Sequence, residues 1–158
     1  MKCLILGSNS FAGANLVSYL LDKGSEVIGV SRSPEPNNIF LPYKYSNNQA
    51  AFSFHQVDIN KEGERLFNLI EQERPEFVVD FAGQGMVAQS WDNPEQWFQT
   101  NVASKARLHN FLKHLDFLEK YIRISSPEVY GNCPDPVDVT ASYSPSTPYA
   151  VSHVAIDL

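Results

Sequence analysis

Apolar residues along the chain cluster into five short runs, at residues 3–6, 26–30, 52–57, 77–81 and 120–124. Four to six residues is strand length, and the run at 77–81, Phe77-Val78-Val79-Asp80-Phe81, is apolar at every position but Asp80, as in strands buried on both faces. Between the runs the period lengthens. Leu16, Val17, Leu20 and Leu21 recur at helical spacing, and Asp22-Lys23-Gly24 ends that helix with Gly24 as the residue past its C-terminus. A second helix spans 62–73 and stops at Arg74-Pro75. A third opens at Asn93-Pro94-Glu95, with a cap, a proline at the first helical position and an acid in the first turn. It carries Trp97, Val102, Leu108, Phe111, Leu112 and Leu115 as one long helix. Thr147-Pro148 opens a fourth. Residues 33–51, rich in Pro and Asn, predict an irregular surface excursion or a short helix. Strands alternating with helices define the fold class: α/β, a doubly wound parallel sheet.

The first strand breaks into Gly7-Ser8-Asn9-Ser10-Phe11-Ala12-Gly13 just before its helix. Gly7 allows a sharp turn off the strand, and Gly13 allows close packing at the helix start. The helix N-terminus offers N–H groups to a pyrophosphate. Gly7, Ser10, Phe11, Ala12 and Gly13 are therefore candidate cofactor residues, although Ser10 stands where the G-x-x-G-x-x-G pattern has its middle glycine, and such a turn is also found as a plain tight connection. The second strand ends in Ser31-Arg32-Ser33. An acid there would bind a ribose 2′-hydroxyl and an arginine accommodates a 2′-phosphate, so Arg32 favours NADP, with NAD possible; the plain alternative is a solvated arginine. Asp58 either accepts a hydrogen bond from an adenine, with Ile59 against the ring, or caps the following helix. Phe81-Ala82-Gly83-Gln84 forms a second small-residue turn at a strand's C-terminal end, where ligands gather in open α/β sheets. Asn101, within the third helix, is either solvated or holds a neighbouring loop.

Composition narrows the function classes. The 158 residues are 43% hydrophobic, enough for one core, and the net charge of −6 argues against a nucleic-acid surface. No apolar run is long enough to span a bilayer, and the chain enters a strand at once, without a signal-peptide pattern. Cys3 and Cys133 make neither a disulfide framework nor a metal motif, which points to a reducing compartment, the cytoplasm.

The fifth strand runs into Ser125-Ser126-Pro127-Glu128-Val129-Tyr130-Gly131, and Tyr149-Ala150-Val151-Ser152-His153 opens the last helix with Tyr149 and His153 on one face. The glycine loop, the serine after the fifth strand and this Tyr-x-x-x motif resemble the short-chain dehydrogenase/reductase superfamily. Glu128-Val129-Tyr130-Gly131, Pro148-Tyr149-Ala150 and Ala82-Gly83-Gln84 resemble its extended branch, the NDP-sugar epimerases and dehydratases. The resemblance implies a Rossmann-like NAD(P)-binding domain over residues 1–158, a nucleotide-sugar substrate, and lyase or oxidoreductase chemistry. Tyr149 would be the acid/base at a sugar hydroxyl, Ser126 its hydrogen-bonding partner at the same oxygen, and Glu128 the dehydration base or else an exposed loop acid. Asn101, Ser125, Tyr149 and His153 would also touch the cofactor.

Two positions depart from the family pattern. Pro127 stands where many dehydratases have an aspartate, removing a proton donor. His153 stands where the family has a lysine; a neutral histidine bonds a ribose or fills space, but supplies no permanent charge to lower the Tyr149 pKa. The resemblance further implies a domain truncated after five strands and lacking a C-terminal substrate domain, the N-terminal part of a longer enzyme that by itself binds cofactor and turns over poorly. It implies a homodimer through the 94–118 and 148–158 helices. A non-catalytic NADP-sensing module and a carbonyl reductase of the same superfamily are the alternatives.

Overall fold

The five apolar runs form one all-parallel sheet in a computed structural model that describes residues 1–133 and 135–158. Strands β1 (Lys2–Leu6), β2 (Glu26–Ser31), β3 (Phe52–Gln56), β4 (Phe77–Asp80) and β5 (Lys120–Arg123) lie in the order β3-β2-β1-β4-β5. Leu6 is level with Val30 on one side and Asp80 on the other. The chain builds outward from β1 to β3, then restarts at β4, so the direction of winding reverses between β1 and β4. Open parallel sheets leave a crevice at such a switch point, at the strands' C-terminal ends. Strands β3 to β5 stop one residue before the apolar runs do. Val57, Phe81 and Ile124 each still donate one bond to the neighbouring strand, to Ser31, Leu6 and Asp80, and there the ladder ends.

Contacts divide the described residues into two compact units, Met1–Ala82 with Asn110–Ile124, and Gly83–His109 with Ser125–Leu158. The first holds the sheet. Cys3, Ile5 and Val27 pack with Val17, Leu20 and Leu21 of helix α1 (Phe11–Asp22), while Leu4 and Leu6 alternate to the opposite face. Gly24, at φ +78°, ends α1 with Ser25 N–H bonding Leu20 O and Gly24 N–H bonding Leu21 O, the arrangement expected of a glycine C′ residue. Helix α2 (Gly63–Glu73) buries Leu66 and Ile70, and Phe67 stacks on Phe111 at 4.3 Å.

Residues 33–51 are more than a surface excursion. Three 3-10 turns, Asn38–Phe40, Pro42–Tyr45 and Gln49–Ala51, drive Leu41 and Tyr43 into the same core as α1, both fully buried. Glu35 accepts from the Tyr43 hydroxyl and pairs with Lys44, both at 2.8 Å. Burial, reinforced by the Glu35 carboxylate, pushes the Tyr43 phenol well above its ordinary range. The folded protein thus keeps a proton that the unfolded chain releases near pH ~10. Stability present below that pH falls as pH rises, by up to about 1.4 kcal/mol per pH unit. In thermal melts between pH 8 and 11, Tyr43→Phe is expected to flatten this alkaline slope; an unchanged slope would refute the assignment.

In the second unit, the long helix predicted from Asn93 is broken. Helix α3 (Pro94–Trp97) passes into a π-helical turn, Phe98–Ala103, before helix α4 (Ser104–Leu112), which stops three residues earlier than its apolar pattern suggested. Helix α5 (Pro148–Asp157) begins as predicted, with the Thr147 side chain accepting from Ala150 N–H at 3.1 Å and Pro148 in the first position.

Candidate functional site

The glycine loop lies wholly in the first unit and is shaped by close backbone approaches. Gly7 has φ +78°, and a Cβ there would lie 2.8 Å from the Ala82 nitrogen at the switch point. A Cβ on Gly13 would lie 2.3 Å from Gly7 O. Ser10 is the N-cap of α1; its hydroxyl accepts from Gly13 N–H at 3.0 Å, which explains how a serine serves at a glycine position. Among the described residues, the Phe11 and Ala12 N–H groups meet no protein acceptor. Two open donors at the positive end of a twelve-residue helix, over a floor cleared of side chains, fit a pyrophosphate.

Two residues that the sequence did not single out brace this loop. Ser8 is fully buried, its hydroxyl 3.3 Å from that of Ser31. Asn9 donates its N–H to Ser31 Oγ and its carboxamide to Ser33 O and Pro34 O, all at 3.0 Å. Ser31 is therefore buried and turned to the loop, whereas Arg32 and Ser33 are exposed. Asp58 does not cap α2, whose N-cap is Glu62. It caps its own turn instead, accepting from Asn60 N–H at 2.9 Å, while its N–H donates to Glu62 Oε2. That bond, then Arg65, holds the Glu62 carboxyl below the usual carboxylate range. Ile59 is half-buried beside it. Asp80, at the end of β4, accepts from Ala82 N–H at 2.9 Å and from the Tyr121 hydroxyl at 2.7 Å, fixing the Phe81-Ala82 turn.

In the second unit, α5 packs against the π turn, α3 and the 3-10 turns Ala88–Trp91 and Pro127–Tyr130. The rings of Tyr149 and His153 lie 4.6 Å apart at 51°, and His153 is buried. Ser126 is the N-cap of the Pro127–Tyr130 turn, its oxygen accepting from Glu128 N–H at 3.3 Å, so Pro127 occupies a first-turn position suited to proline. The Glu128 carboxylate is exposed. The Ser125 hydroxyl donates to Asp157 of α5.

Asn101 is fully buried in the π turn and holds a neighbouring loop, the second of its two sequence readings. Its Oδ1 accepts from Gln84 N–H at 2.8 Å; its Nδ2 reaches Gln84 O at 3.2 Å and Ser152 Oγ at 3.0 Å. Gly83 leaves room for it, since a Cβ there would sit 3.2 Å from Oδ1. Missed by sequence was Ser90, fully buried, whose hydroxyl accepts from Tyr149 N–H. A serine 59 residues away carries no periodic or spacing signal for such a contact. Among the described residues no cluster of metal-ligating side chains occurs, and no helix is long and apolar enough to cross a membrane.

A parallel sheet with a glycine loop at its switch point and a Tyr-x-x-x-His helix defines a Rossmann-like α/β protein of the short-chain dehydrogenase/reductase type. The family model described as GDP-mannose 4,6 dehydratase matches residues 4–158, and the chain belongs to that family. It is 28% identical to GDP-mannose 4,6-dehydratase of Vibrio cholerae over 96% of this chain and 42% of that protein. It is 27% identical to dTDP-glucose 4,6-dehydratase of Escherichia coli over 99% of this chain and 48% of that one. UDP-glucose-4-epimerase from Stenotrophomonas maltophila, solved with NAD and formylated UDP-arabinopyranose, superposes with a TM-score of 0.86 at 25% identity, over 99% of this chain and 46% of that chain. UDP-glucuronic acid 4-epimerase from Bacillus cereus, solved with UDP-glucuronic acid and NAD, gives 0.83 at 25%, covering 99% and 50%. The chain thus spans about half the length of the curated relatives it matches.

Proposed function

We propose that this chain is the dinucleotide-binding and proton-transferring part of a nucleotide-sugar dehydratase or epimerase. The observation that carries the reading is a phosphate-type loop with two open N–H donors in the same chain as Tyr149 on a capped helix beside His153. Gly7, Ser10, Phe11, Ala12 and Gly13 hold the pyrophosphate, Asp58 and Ile59 take the adenine end, and Phe81, Ala82, Gly83 and Gln84 are further cofactor contacts. Ser125, Asn101 and His153 support the nicotinamide end. A bound nicotinamide dinucleotide supplies the hydride acceptor. Tyr149 accepts the proton of the sugar hydroxyl as its carbon loses hydride, and Ser126 hydrogen-bonds the same oxygen. Glu128 removes a proton from the neighbouring sugar carbon in a dehydration, a role its exposure on the Pro127–Tyr130 turn supports. The homodimer that the family resemblance implies is supported by Phe98 and Val151, each 38% exposed on the stretches concerned.

Fluorescence titration with NADPH and NADH tests the cofactor half, and absence of binding by either would end the reading. Conversion of a sugar nucleotide to a 4-keto product separates dehydration from epimerisation. Arg32, exposed with no acid at the end of β2, supports NADP over NAD. Arg32→Ala is expected to weaken NADPH binding by about tenfold, the scale of a lost charge-assisted bond, while leaving NADH within about twofold. Equal losses for both would remove Arg32 from the 2′-phosphate site. A second reading, a non-catalytic NADP sensor, is favoured by His153 alone; it fails if Tyr149→Phe abolishes a measured turnover.

A further inference from the structure

Tyr149 is the second residue of α5, and the first helical N–H groups have no partner within their own helix. Pro148 has none to satisfy. Thr147 takes the Ala150 N–H through its side chain and the Val151 N–H through its carbonyl. Only the Tyr149 N–H is left over, and Ser90 takes it at 3.1 Å. The Ser90 hydroxyl donates its own proton to Val87 O at 2.6 Å, which turns an oxygen lone pair toward the helix. The other polar atom of the same residue is held too. Tyr149 O accepts from Ser152 Oγ at 2.7 Å, and Ser152 Oγ accepts from Asn101.

Ser90, Ser152 and Asn101 are each at most 1% exposed. Burying three polar side chains is costly unless each finds good partners. Ser90 and Ser152 bond the two peptide groups of one residue, and Asn101 bonds Ser152 behind them. The segment that supplies Ser90 includes Met86, a non-glycine residue at φ +70°, a conformation that costs free energy and persists only where the surroundings impose it.

We propose that Ser90 is a positioning residue for Tyr149, fixing the start of α5 so that the phenol is held where its proton is transferred. This rests on Tyr149 being the acid/base. The helix itself does not need Ser90, since Thr147 already caps it; what Ser90 adds is a tie at the residue that carries the chemistry.

Amide exchange in the 15N-labelled chain tests the tie without turnover. In Ser90→Ala the Tyr149 amide is expected to exchange at least about fivefold faster, with Ala150 unchanged as the internal control. Ser90→Cys, similar in size and a weaker acceptor, is expected to lie between, and serves where Ser90→Ala does not fold. An unchanged Tyr149 amide, or equal acceleration at Tyr149 and Ala150, would overturn the proposal. In turnover, Ser90→Ala is expected to lower kcat on the order of tenfold with KM unchanged, and to cost nothing further on a Tyr149→Phe background. A loss that persists on that background overturns the positioning role alone. Full turnover by Tyr149→Phe overturns it together with the acid/base reading.

Discussion

Gly13→Val is expected to abolish dinucleotide binding and to destabilise the protein by about 1–3 kcal/mol, the range for forcing atoms into filled space. The first added carbon would stand 2.3 Å from Gly7 O and 2.9 Å from Ser10 Oγ, and neither yields cheaply. Gly7 O accepts from Ser10 N–H and Ser10 Oγ accepts from Gly13 N–H, so both belong to the turn that presents the open donors. Moving either rotates the Phe11 and Ala12 N–H groups away from a phosphate. Thermal melts and cofactor titration together check this, with at least about a hundredfold loss of affinity expected. Gly85→Ala is the control, because a Cβ at Gly85 meets nothing within 4 Å and Gly85 has no positive φ. If the Gly13 variant binds cofactor as the parent does, the loop is a plain connection.

Tyr149→Phe is expected to lower the rate of hydride transfer from a sugar nucleotide by about 10²–10⁴-fold, the usual contribution of a positioned acid/base. Cofactor affinity should stay within a few-fold, since the ring and its contact with His153 remain. Single-turnover reduction of bound cofactor at 340 nm measures the first quantity and fluorescence titration the second. His153→Lys sharpens the result. A fixed cation 4 residues along the same face favours the phenolate, so the rate should rise at neutral pH and the rise of rate with pH should move to lower pH. Unchanged turnover in Tyr149→Phe would remove Tyr149 from the chemistry.

Much of this was legible in the residues because it depends on local physics. Short apolar runs marked the strands and a 3.6-residue period the helices, Gly24 and Thr147-Pro148 marked ends that any helix must resolve, and Gly7 with Gly13 marked a turn that side chains would block. The misses share a cause. Leu41 and Tyr43 lie in a stretch that reads as a surface excursion or a short helix because Pro and Asn dominate it. Short 3-10 turns do form there, yet both side chains find the α1 core. The helix from Pro94 looked continuous because a π turn inserts one extra residue without disturbing local propensity. Asp58 reads locally as an adenine contact or a helix cap, and the fold turns its Oδ1 to Asn60 in its own turn and leaves the α2 cap to Glu62.

By itself, then, the sequence determined the elements, their alternation, and the residue types that can hold a phosphate or move a proton. Only the tertiary structure decided that Leu6 is level with Asp80, that Gly7 abuts Ala82, that Ser90 takes the Tyr149 N–H, and that Asn101 reaches Ser152. Those are contacts between residues far apart in the chain. Periodicity reports which face of an element is buried, but a single buried hydroxyl has no period, and its partner is set only when the whole chain has packed.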